Sequence, residues 1–470
     1  MKLAVEGCCH GELDAIYTAL SHLEARNQYK VDALLICGDF EAIRNHADLE
    51  CMAVPNKYKH LQTFYKYYTG EKTAPVLTLV IGGNHEASNY FAELYHGGWL
   101  APNIYYLGCA GSVLLNGARI SGMSGIFNPR HFRLGHHERL PYDSDTMRSI
   151  YHIREYNVRR LSLLPPPRVF LSHDWPAQIE QHGDLGSLLR RKSFLRADIE
   201  KGALGSPPAM GLLRTLRPEW WCSAHLHVKF EGVVRHIEEP TETIAPPAIK
   251  NPDEIEIDDE DFDVPLAGTK PAANPDEIKI DDEEEDPVPT PLVPEPASEA
   301  EVPTPPPHPG FVKTKFLALD KCLPKRQFLE VIDIDVPSAS SSSETSSSKP
   351  SSEEGIHSPP TISFDPSWLA ITRAFAPFHS TTKHQPAFPS EEEARALIEK
   401  EEAWVKANIK VDERGYIPVN TVQVFAKTAP GPSEDGGKAG GRRQPPWFKN
   451  PQTEAFCRML QIKNVVDLPA

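Results

Sequence analysis

Short apolar runs alternate with amphipathic stretches through the first half of the chain. Each run ends in a polar cluster, as strands that are buried on both faces do. The runs that predict strands are residues 3–5, 33–37, 76–81, 113–115, 169–172 and 220–223. Between them, the spacing of apolar residues predicts helices over residues 13–28 and 146–163. Alternating strands and helices indicate an α/β architecture.

The second half of the chain is predicted to be ordered only in parts. Residues 311–336 and 362–378 are apolar enough to predict ordered, strand-like segments. Ser390 and Glu393 form a capping-box pattern, which predicts a helix that runs to about Asn408. The amphipathic pattern over 450–462 predicts a final helix. We therefore expect a smaller C-terminal α+β domain over residues 311–470.

Three segments of low complexity divide the chain. Residues 237–310 hold 3 Lys+Arg and 22 Asp+Glu, and the sequence of residues 251–260 recurs with one change at 274–283. So much charge and proline cannot bury enough apolar surface to offset the entropy of ordering, so 238–310 is predicted to be a disordered acidic insert. The Ser-rich tract 337–361 is predicted to be disordered, and the Gly/Pro-rich segment 428–446 to be loose. The first domain is then expected at 1–237.

The charge and the cysteines narrow the class of protein. The chain has 470 residues and a formal charge of −16. Residues 1–236 hold 26 Lys+Arg and 23 Asp+Glu, a net of +3, so the acidity belongs to the insert. No run approaches the ~20 apolar residues that a membrane span needs, and the N-terminus lacks the apolar run of a signal peptide. We expect an intracellular protein with no membrane partner. Its eight scattered Cys argue against a disulfide framework.

Five short motifs at the ends of predicted strands hold metal-type side chains. They are Cys8-Cys-His-Gly11, Gly38-Asp-Phe40, Gly83-Asn-His-Glu86, Ser172-His-Asp174 and Ala224-His-Leu-His227. The carboxyl ends of strands are where α/β folds place their sites. A two-metal site needs one carboxylate that bridges both ions, and Asp39 suits that role. Taken singly, each motif is also compatible with a turn or a core position.

The order and types of the five motifs resemble the calcineurin-like metallophosphoesterase superfamily. The usual pattern there is Asp-x-His, Gly-Asp, Gly-Asn-His-Glu/Asp, His and Gly-His-x-His, and this sequence departs from it at Cys8 and Ala224. The resemblance implies a metallophosphoesterase-type β-sandwich flanked by helices. It also implies one metal on Cys8, His10, Asp39 and His227, and another on Asp39, Asn84, His173 and His225. His85 then remains uncoordinated and is the implied general acid.

Cys8 affects the choice of metal. A thiolate is a soft ligand that favours Zn or Fe over Mg or Ca, whereas the other site offers only nitrogen and oxygen. We expect divalent Fe, Zn or Mn. The ions would form a binuclear pair, or a single tightly bound ion if Cys8 is a poor ligand.

Longer strings resemble RNA lariat debranching enzymes. They are residues 8–14, 170–176, 221–230 and 314–324, and the resemblance extends over about 1–236, 311–336 and 362–470. It implies a 2′–5′ phosphodiesterase that opens excised intron lariats, supplies linear RNA for intron turnover and works in the nucleus. In that family a recognition loop follows the third motif, here at about 119–160. Its candidate RNA contacts are Arg130, Phe132, Arg133, Tyr142, Arg148 and Tyr151, although each aromatic is equally compatible with a core position.

Two other functions remain open at this point. The chain can be a metallophosphatase that acts on a phosphoprotein or a nucleotide, because the site does not choose the substrate. It can also be a scaffold that lost its metals and binds through the acidic insert. In the enzyme readings the insert should repel RNA, so we expect it to loop away or to bind a basic protein. We expect a monomer.

Overall fold

A computed structural model describes residues 1–236, 310–336, 360–434 and 443–467. The predicted acidic insert and Ser-rich tract lie almost wholly outside these residues, as does the middle of the predicted Gly/Pro-rich segment. The predictions of disorder there remain predictions.

The strands confirm the pattern of apolar runs. Each of the six predicted runs overlaps a strand, whereas the strands at 98–101, 104–106, 118–123 and 230–235 were not predicted. The described residues form β1 Lys2–Glu6, β2 Ala33–Ile36, β3 Leu77–Val80, β4 Gly98–Ala101, β5 Ile104–Tyr106, β6 Ala110–Leu115, β7 Ala118–Met123, β8 Val169–Ser172, β9 Trp220–Ser223, β10 Phe230–Arg235, β11 Lys313–Ala318, β12 Leu329–Asp333, β13 Ile362–Phe364 and β14 Ile417–Pro418.

The helices confirm three of the predicted helical segments, at 13–28, 391–408 and 450–462. The described residues form α1 Leu13–Asn27, α2 Tyr65–Tyr68, α3 Ser88–Glu93, α4 Pro129–Phe132, α5 Thr146–Ser149, α6 Glu155–Ser162, α7 Leu185–Arg191, α8 Arg196–Glu200, α9 Pro207–Leu216, α10 Pro366–Phe375, α11 Glu391–Asn408 and α12 Pro451–Leu460. Within the described ranges, no helix has the length and apolar character needed to cross a bilayer.

Two predictions of secondary structure were wrong. The single helix over 146–163 is two helices, because the backbone between α5 and α6 pairs with Ile126: Ile126 N–H donates to the Tyr151 carbonyl, and Ile153 N–H donates to Ile126. The strand-like segment 362–378 is a strand only as far as Phe364. Asp365 then caps α10 by accepting the N–H of Ser367 at 3.2 Å, and Pro366 occupies the first turn.

The strands form two sheets that pack face to face. One has the order β12-β1-β2-β3-β5-β4 and the other β10-β11-β9-β8-β7-β6-β13-β14. In β1, Leu3 and Val5 share a core with Phe170 and Trp221 of the second sheet, whereas Ala4 faces α1. This alternation follows from the period of two along a strand, and it gives the predicted sandwich flanked by helices.

Strands from the second half of the chain complete both sheets. β11 lies between β9 and β10, β12 pairs antiparallel with β1, and β13 pairs with β6. The division into 1–237 and 311–470 stays a prediction, since strands from both parts share each sheet.

Candidate metal centre

The five motifs meet at the loops that follow five strands. β1, β2 and β3 are parallel neighbours in one sheet, and β8 and β9 are parallel neighbours in the other. The carboxyl ends of neighbouring parallel strands lie at one edge, which brings their loops together. The predicted ligands and acid on these loops are Cys8, His10, Asp39, Asn84, His85, His173, His225 and His227.

The backbone of these loops turns sharply at the functional residues. Asp39 has a φ of 45°, and His225 and His227 have φ values of 66° and 47°. Left-handed backbone at residues other than glycine costs free energy and persists where the surroundings fix it. Gly83 also packs closely against this site: a Cβ atom there would lie 2.1 Å from Asp39 Oδ1, so only glycine fits. The left-handed backbone therefore occurs where the candidate ligand side chains come together.

Asp39 lies at the centre of the cluster. Its Oδ2 is 3.7 Å from His10 Nε2 and 3.5 Å from His85 Nδ1, and its Oδ1 is 3.2 Å from His173 Nε2. Oδ1 also accepts the backbone N–H of His85 at 2.9 Å. Burial by itself would raise the pKa of Asp39, but the neighbouring imidazoles hold that pKa well below its usual range. Asp39 is therefore a carboxylate with one oxygen toward each half of the site.

One half of the site holds a thiol, two imidazoles and a carboxylate. One ligand atom from each of Cys8, His10, Asp39 and His227 lies within 4.8 Å of the others. Cys8 Sγ accepts the backbone N–H of His225 at 3.2 Å. Burial and the charge of Asp39 raise the pKa of the Cys8 thiol well above its ordinary value. A thiolate at this position therefore requires a cation beside it.

The imidazoles of His10 and His227 point their Nε2 atoms at each other, an arrangement that suits a bound cation. His10 Nδ1 lies 3.2 Å from Glu41 Oε1, so this nitrogen donates and the Nε2 atom presents its lone pair. His10 Nε2 is 3.2 Å from His227 Nε2. In the part of the chain that the structure describes, the buried His227 Nδ1 has no hydrogen-bond partner. Converging nitrogen lone pairs beside a buried carboxylate are the donors that zinc and iron use.

The other half offers only nitrogen and oxygen atoms. His173 Nδ1 lies 2.8 Å from the Cys37 carbonyl oxygen, which only accepts, so Nδ1 carries the proton. His173 Nε2 then points its lone pair at Asn84 Oδ1 and Asp39 Oδ1, both 3.2 Å away. Three acceptors that converge in a buried place require a proton or a metal among them. The His225 ring lies 5.0 Å from the His173 ring, between centroids, and borders the same space.

Two carboxylates that hold the site together were not assigned a role from the sequence. Glu86 is buried and accepts the backbone N–H groups of Phe40, Glu41 and Gly83, each at 2.8 Å. It thereby ties the loop after β2 to the loop after β3. Glu41 orients His10, as described above. Glu86 ends the motif Gly83-Asn-His-Glu86, and Glu41 follows Asp39 by two residues. Neither position in the sequence indicates which groups the carboxylate would bond.

The predicted recognition segment contributes exposed cations near α4 and α5. Arg130 and Arg133 are exposed, and Arg148 is half-buried. Phe132 is half-buried and packs edge-on against Phe127, with 5.5 Å between ring centroids. These four predicted RNA contacts lie in or beside short helices.

The two predicted tyrosine contacts are buried. Tyr142 is 5% exposed, and its backbone exchanges hydrogen bonds of 2.6 and 2.8 Å with the Gln444 side chain. That position supports packing and does not favour base stacking. Tyr151 is 8% exposed, but it lines a cavity that also touches Gly83 and Trp447. Tyr151 therefore faces a space that reaches Gly83, the residue before the candidate ligand Asn84.

Some arginines of the same segment have structural partners. Arg154 is fully buried and pairs with Glu138. Arg160 is buried, donates to Asn157 Oδ1 at 2.7 Å and lies over the Trp368 ring at 4.7 Å. The bunching of arginine in the sequence thus overstates the cationic surface.

Two families match the chain, and together they span most of it. Residues 1–229 match the family described as calcineurin-like phosphoesterase. Residues 312–465 match the family described as the C-terminal domain of lariat debranching enzyme. The residues between the two matches correspond to the predicted acidic insert.

Curated proteins resemble the chain over nearly its whole length. It is 40% identical over 469 residues to the lariat debranching enzyme of Homo sapiens, covering 99% of this chain and 70% of that protein. It is 38% identical over 500 residues to the enzyme of Schizosaccharomyces pombe, covering 100% and 98%. It is 39% identical over 469 residues to the enzyme of Danio rerio, covering 99% of this chain and 66% of that protein. With this coverage and identity, and with matches on both sides of the insert, the chain belongs to the lariat debranching enzyme family.

Proposed function

We propose that the chain is a metal-dependent hydrolase that cleaves the 2′–5′ phosphodiester bond of RNA lariats. Its products would be linear RNA with a 5′-phosphate and a free 2′-hydroxyl, for turnover of excised introns. The observation that carries the proposal is that two groups of candidate ligands share Asp39, whose Oδ2 faces His10 and whose Oδ1 faces His173. A shared carboxylate between two cation sites suits the displacement at a phosphate, since attacking and leaving oxygens both need stabilisation.

We propose a set of ligands for each ion. Cys8, His10, Asp39 and His227 would hold one, and Asp39, Asn84, His173 and His225 the other. When bound, the divalent ions supply Lewis-acid stabilisation of the phosphate oxygens and activation of water. The soft Cys8 thiolate favours Fe²⁺ or Zn²⁺ in the first place, and the second also suits Mn²⁺.

His85 is proposed as the proton donor to the departing 2′-oxygen. Its Nδ1 faces Asp39 Oδ2, and its side chain is 22% exposed, so Nε2 is the atom available to substrate. Burial lowers the pKa of His85, while the charge of Asp39 opposes that shift. The negative charge of a bound phosphodiester would also act to raise the pKa of His85 and so promote its protonation.

RNA is proposed to cross the surface that Arg130, Arg133 and Arg148 mark. Arginines pair with backbone phosphates, and half-exposed aromatics such as Phe132 stack on unpaired bases. Tyr151 would contribute from the cavity beside Gly83. Tyr142 was a predicted contact too, but its burial leaves it a packing role.

The remaining proposals concern the protein's surroundings. We place it in the nucleus, where intron lariats arise, and we propose that it acts as a monomer. The acidic insert, outside the described residues, is proposed to bind a basic protein. Fluorescence imaging of the tagged full chain tests the nuclear location. Sedimentation of the purified protein tests the monomeric state.

The test of the activity is the cleavage of a synthetic branched RNA with one 2′–5′ and one 3′–5′ linkage. We expect loss of the 2′–5′ arm alone, with a 5′-phosphate on the released strand. Equal hydrolysis of both linkages would contradict the proposal. Hydrolysis of phosphopeptides or nucleotides in place of branched RNA would make the chain a phosphatase, and a folded protein that takes up no metal would make it a scaffold.

A further inference from the structure

A segment of the C-terminal region lies directly beside Cys8. Cys8 N–H donates to the Asp320 carbonyl oxygen at 3.4 Å, and Cys322 N–H donates to the Cys8 carbonyl oxygen at 3.2 Å. Between these two bonds, Lys321 forms an isolated parallel bridge with Cys8. A Cβ on the preceding Gly7 would lie 2.2 Å from the Asp320 carbonyl oxygen, so the two backbones are in close contact. The chain thus returns to the metal centre more than three hundred residues later.

Lys321 brings a positive charge to this contact. Its side chain is half-buried, and among the described residues no carboxylate forms an ion pair with its Nζ atom. The neighbouring Asp320 has other partners: its Oδ1 accepts the backbone N–H of Lys321 at 2.8 Å, and its Oδ2 lies 3.6 Å from Arg326. The Lys321 ammonium group is therefore available to another anion.

The pairing with Cys8 determines the face on which Lys321 lies. Paired residues of neighbouring strands carry their side chains on the same face of a sheet, so Lys321 lies on the face of Cys8. The ligand atom of Cys8 lies within 4.8 Å of those of His10 and His227. Lys321 therefore lies on the His10–His227 side of the centre.

A permanent cation beside two divalent ions is electrostatically unfavourable unless an anion lies between them. The anion that this site would receive is a phosphate group with charged non-bridging oxygens. An ammonium group bonds such oxygens through short, charge-assisted hydrogen bonds. The position of Lys321 therefore fits a substrate contact better than it fits a contribution to metal binding.

We propose that Lys321, supplied by the C-terminal region, binds a non-bridging phosphate oxygen of the substrate on the His10–His227 side of the metal centre. The inference rests on the proposed function, since it names a group that contacts the scissile phosphate or the phosphate next to it. It also gives the C-terminal region a direct part in the active site.

The test compares K321M, K321R and K325M. Lys325 is the matched control, because it is exposed in the same loop. Three quantities are measured for each metal-loaded protein: kcat and KM on branched RNA, affinity for inorganic phosphate by calorimetry, and bound metal by elemental analysis. We expect K321M to lower kcat/KM by about 10²-fold, as loss of one donor to a transition-state oxygen does. K321R should recover part of that loss, and K325M should match the wild type.

The metal and phosphate measurements separate the inference from the proposed function. K321M should weaken phosphate binding with full metal content, whereas a purely structural role would lower metal content or stability together with activity. If the wild type does not cleave branched RNA, the proposed function fails, and phosphate binding still decides the role of Lys321. K321M with wild-type phosphate affinity would overturn the inference.

Discussion

His85 Nδ1 lies 3.5 Å from Oδ2 of Asp39, the carboxylate that both halves of the metal centre share. The contact brings a partly exposed imidazole to the central carboxylate of the site. His85 is not a member of the cluster of ligand atoms that Cys8, His10, Asp39 and His227 form. We propose that proton transfer and metal binding belong to different histidines.

Replacing His85 should therefore separate the two roles. H85A is expected to lower cleavage of branched RNA by about 10²- to 10⁴-fold, the usual contribution of a positioned acid, with bound metal unchanged. Single-turnover cleavage and elemental analysis check this. H46A, at an exposed histidine, is the control. Loss of metal in step with activity would mean that His85 is a ligand.

Replacing Cys8 should change which metal binds. C8D exchanges a soft thiolate for a hard carboxylate, so the variant should shift from Zn²⁺ towards Mn²⁺ when stripped protein is offered both in equal amounts. Elemental analysis of the recovered protein measures the ratio. Cys9, equally buried but in the opposite core cluster, provides the control variant C9A. An unchanged ratio in C8D would remove Cys8 from the ligand set.

Glu41 should set the metal affinity through His10. Its carboxylate accepts the Nδ1 proton of His10 at 3.2 Å and turns Nε2 towards the centre. E41Q is expected to weaken metal binding by about 10- to 100-fold, the usual effect of losing such a partner. Competition with a chelator measures this, with E50Q as the control. Equal affinities for E41Q and the wild type would refute the orienting role.

Asp14 should make stability depend on acid pH. It accepts hydrogen bonds from Lys72 at 2.7 Å, Tyr67 at 2.7 Å and Lys66 at 2.9 Å. Partial burial acts to raise its pKa, but these bonds lower the pKa to about 2. A carboxyl with a lowered pKa stabilises the fold above its unfolded pKa, and that stability is lost as pH falls through the folded value.

D14N should therefore lower the free energy of unfolding by about 1 kcal/mol at neutral pH, after allowance for solvent screening. The difference from the wild type should shrink as the pH falls from about 4 towards 2. Urea unfolding of both proteins over this range measures it. A difference that stays constant or widens in acid would contradict the assignment.

Deleting residues 240–308 should leave turnover within about threefold of the wild type. The described ends of the insert are already neighbours, because Arg235 pairs with Lys313 in the register of β10 and β11. A short loop can therefore replace the insert without moving either strand. Steady-state cleavage and circular dichroism check the variant. A severe loss of activity in a folded deletion would show that the insert takes part in catalysis.

The sequence predicted six strands of the first half and the converging motifs because both are local signals. Apolar runs mark buried strands, and a motif such as Gly83-Asn-His-Glu86 is contiguous in the chain. The break between α5 and α6 was not predictable locally, since it depends on pairing with Ile126. The approach of Lys321 to Cys8 depends on strand order over more than three hundred residues. The burial of Tyr142 depends on Gln444 in the same way.

Asp39 is proposed to join two cation sites, and the protein is proposed to cleave a 2′–5′ bond with the ions bound there. The most direct measurement is cleavage of the branched RNA by metal-stripped protein reloaded with Fe²⁺, Zn²⁺ or Mn²⁺, for the wild type and D39N in parallel. We expect selective loss of the 2′–5′ arm in the loaded wild type, with neither full metal uptake nor cleavage in D39N. Cleavage by the stripped protein, or undiminished cleavage by D39N, would contradict the claim.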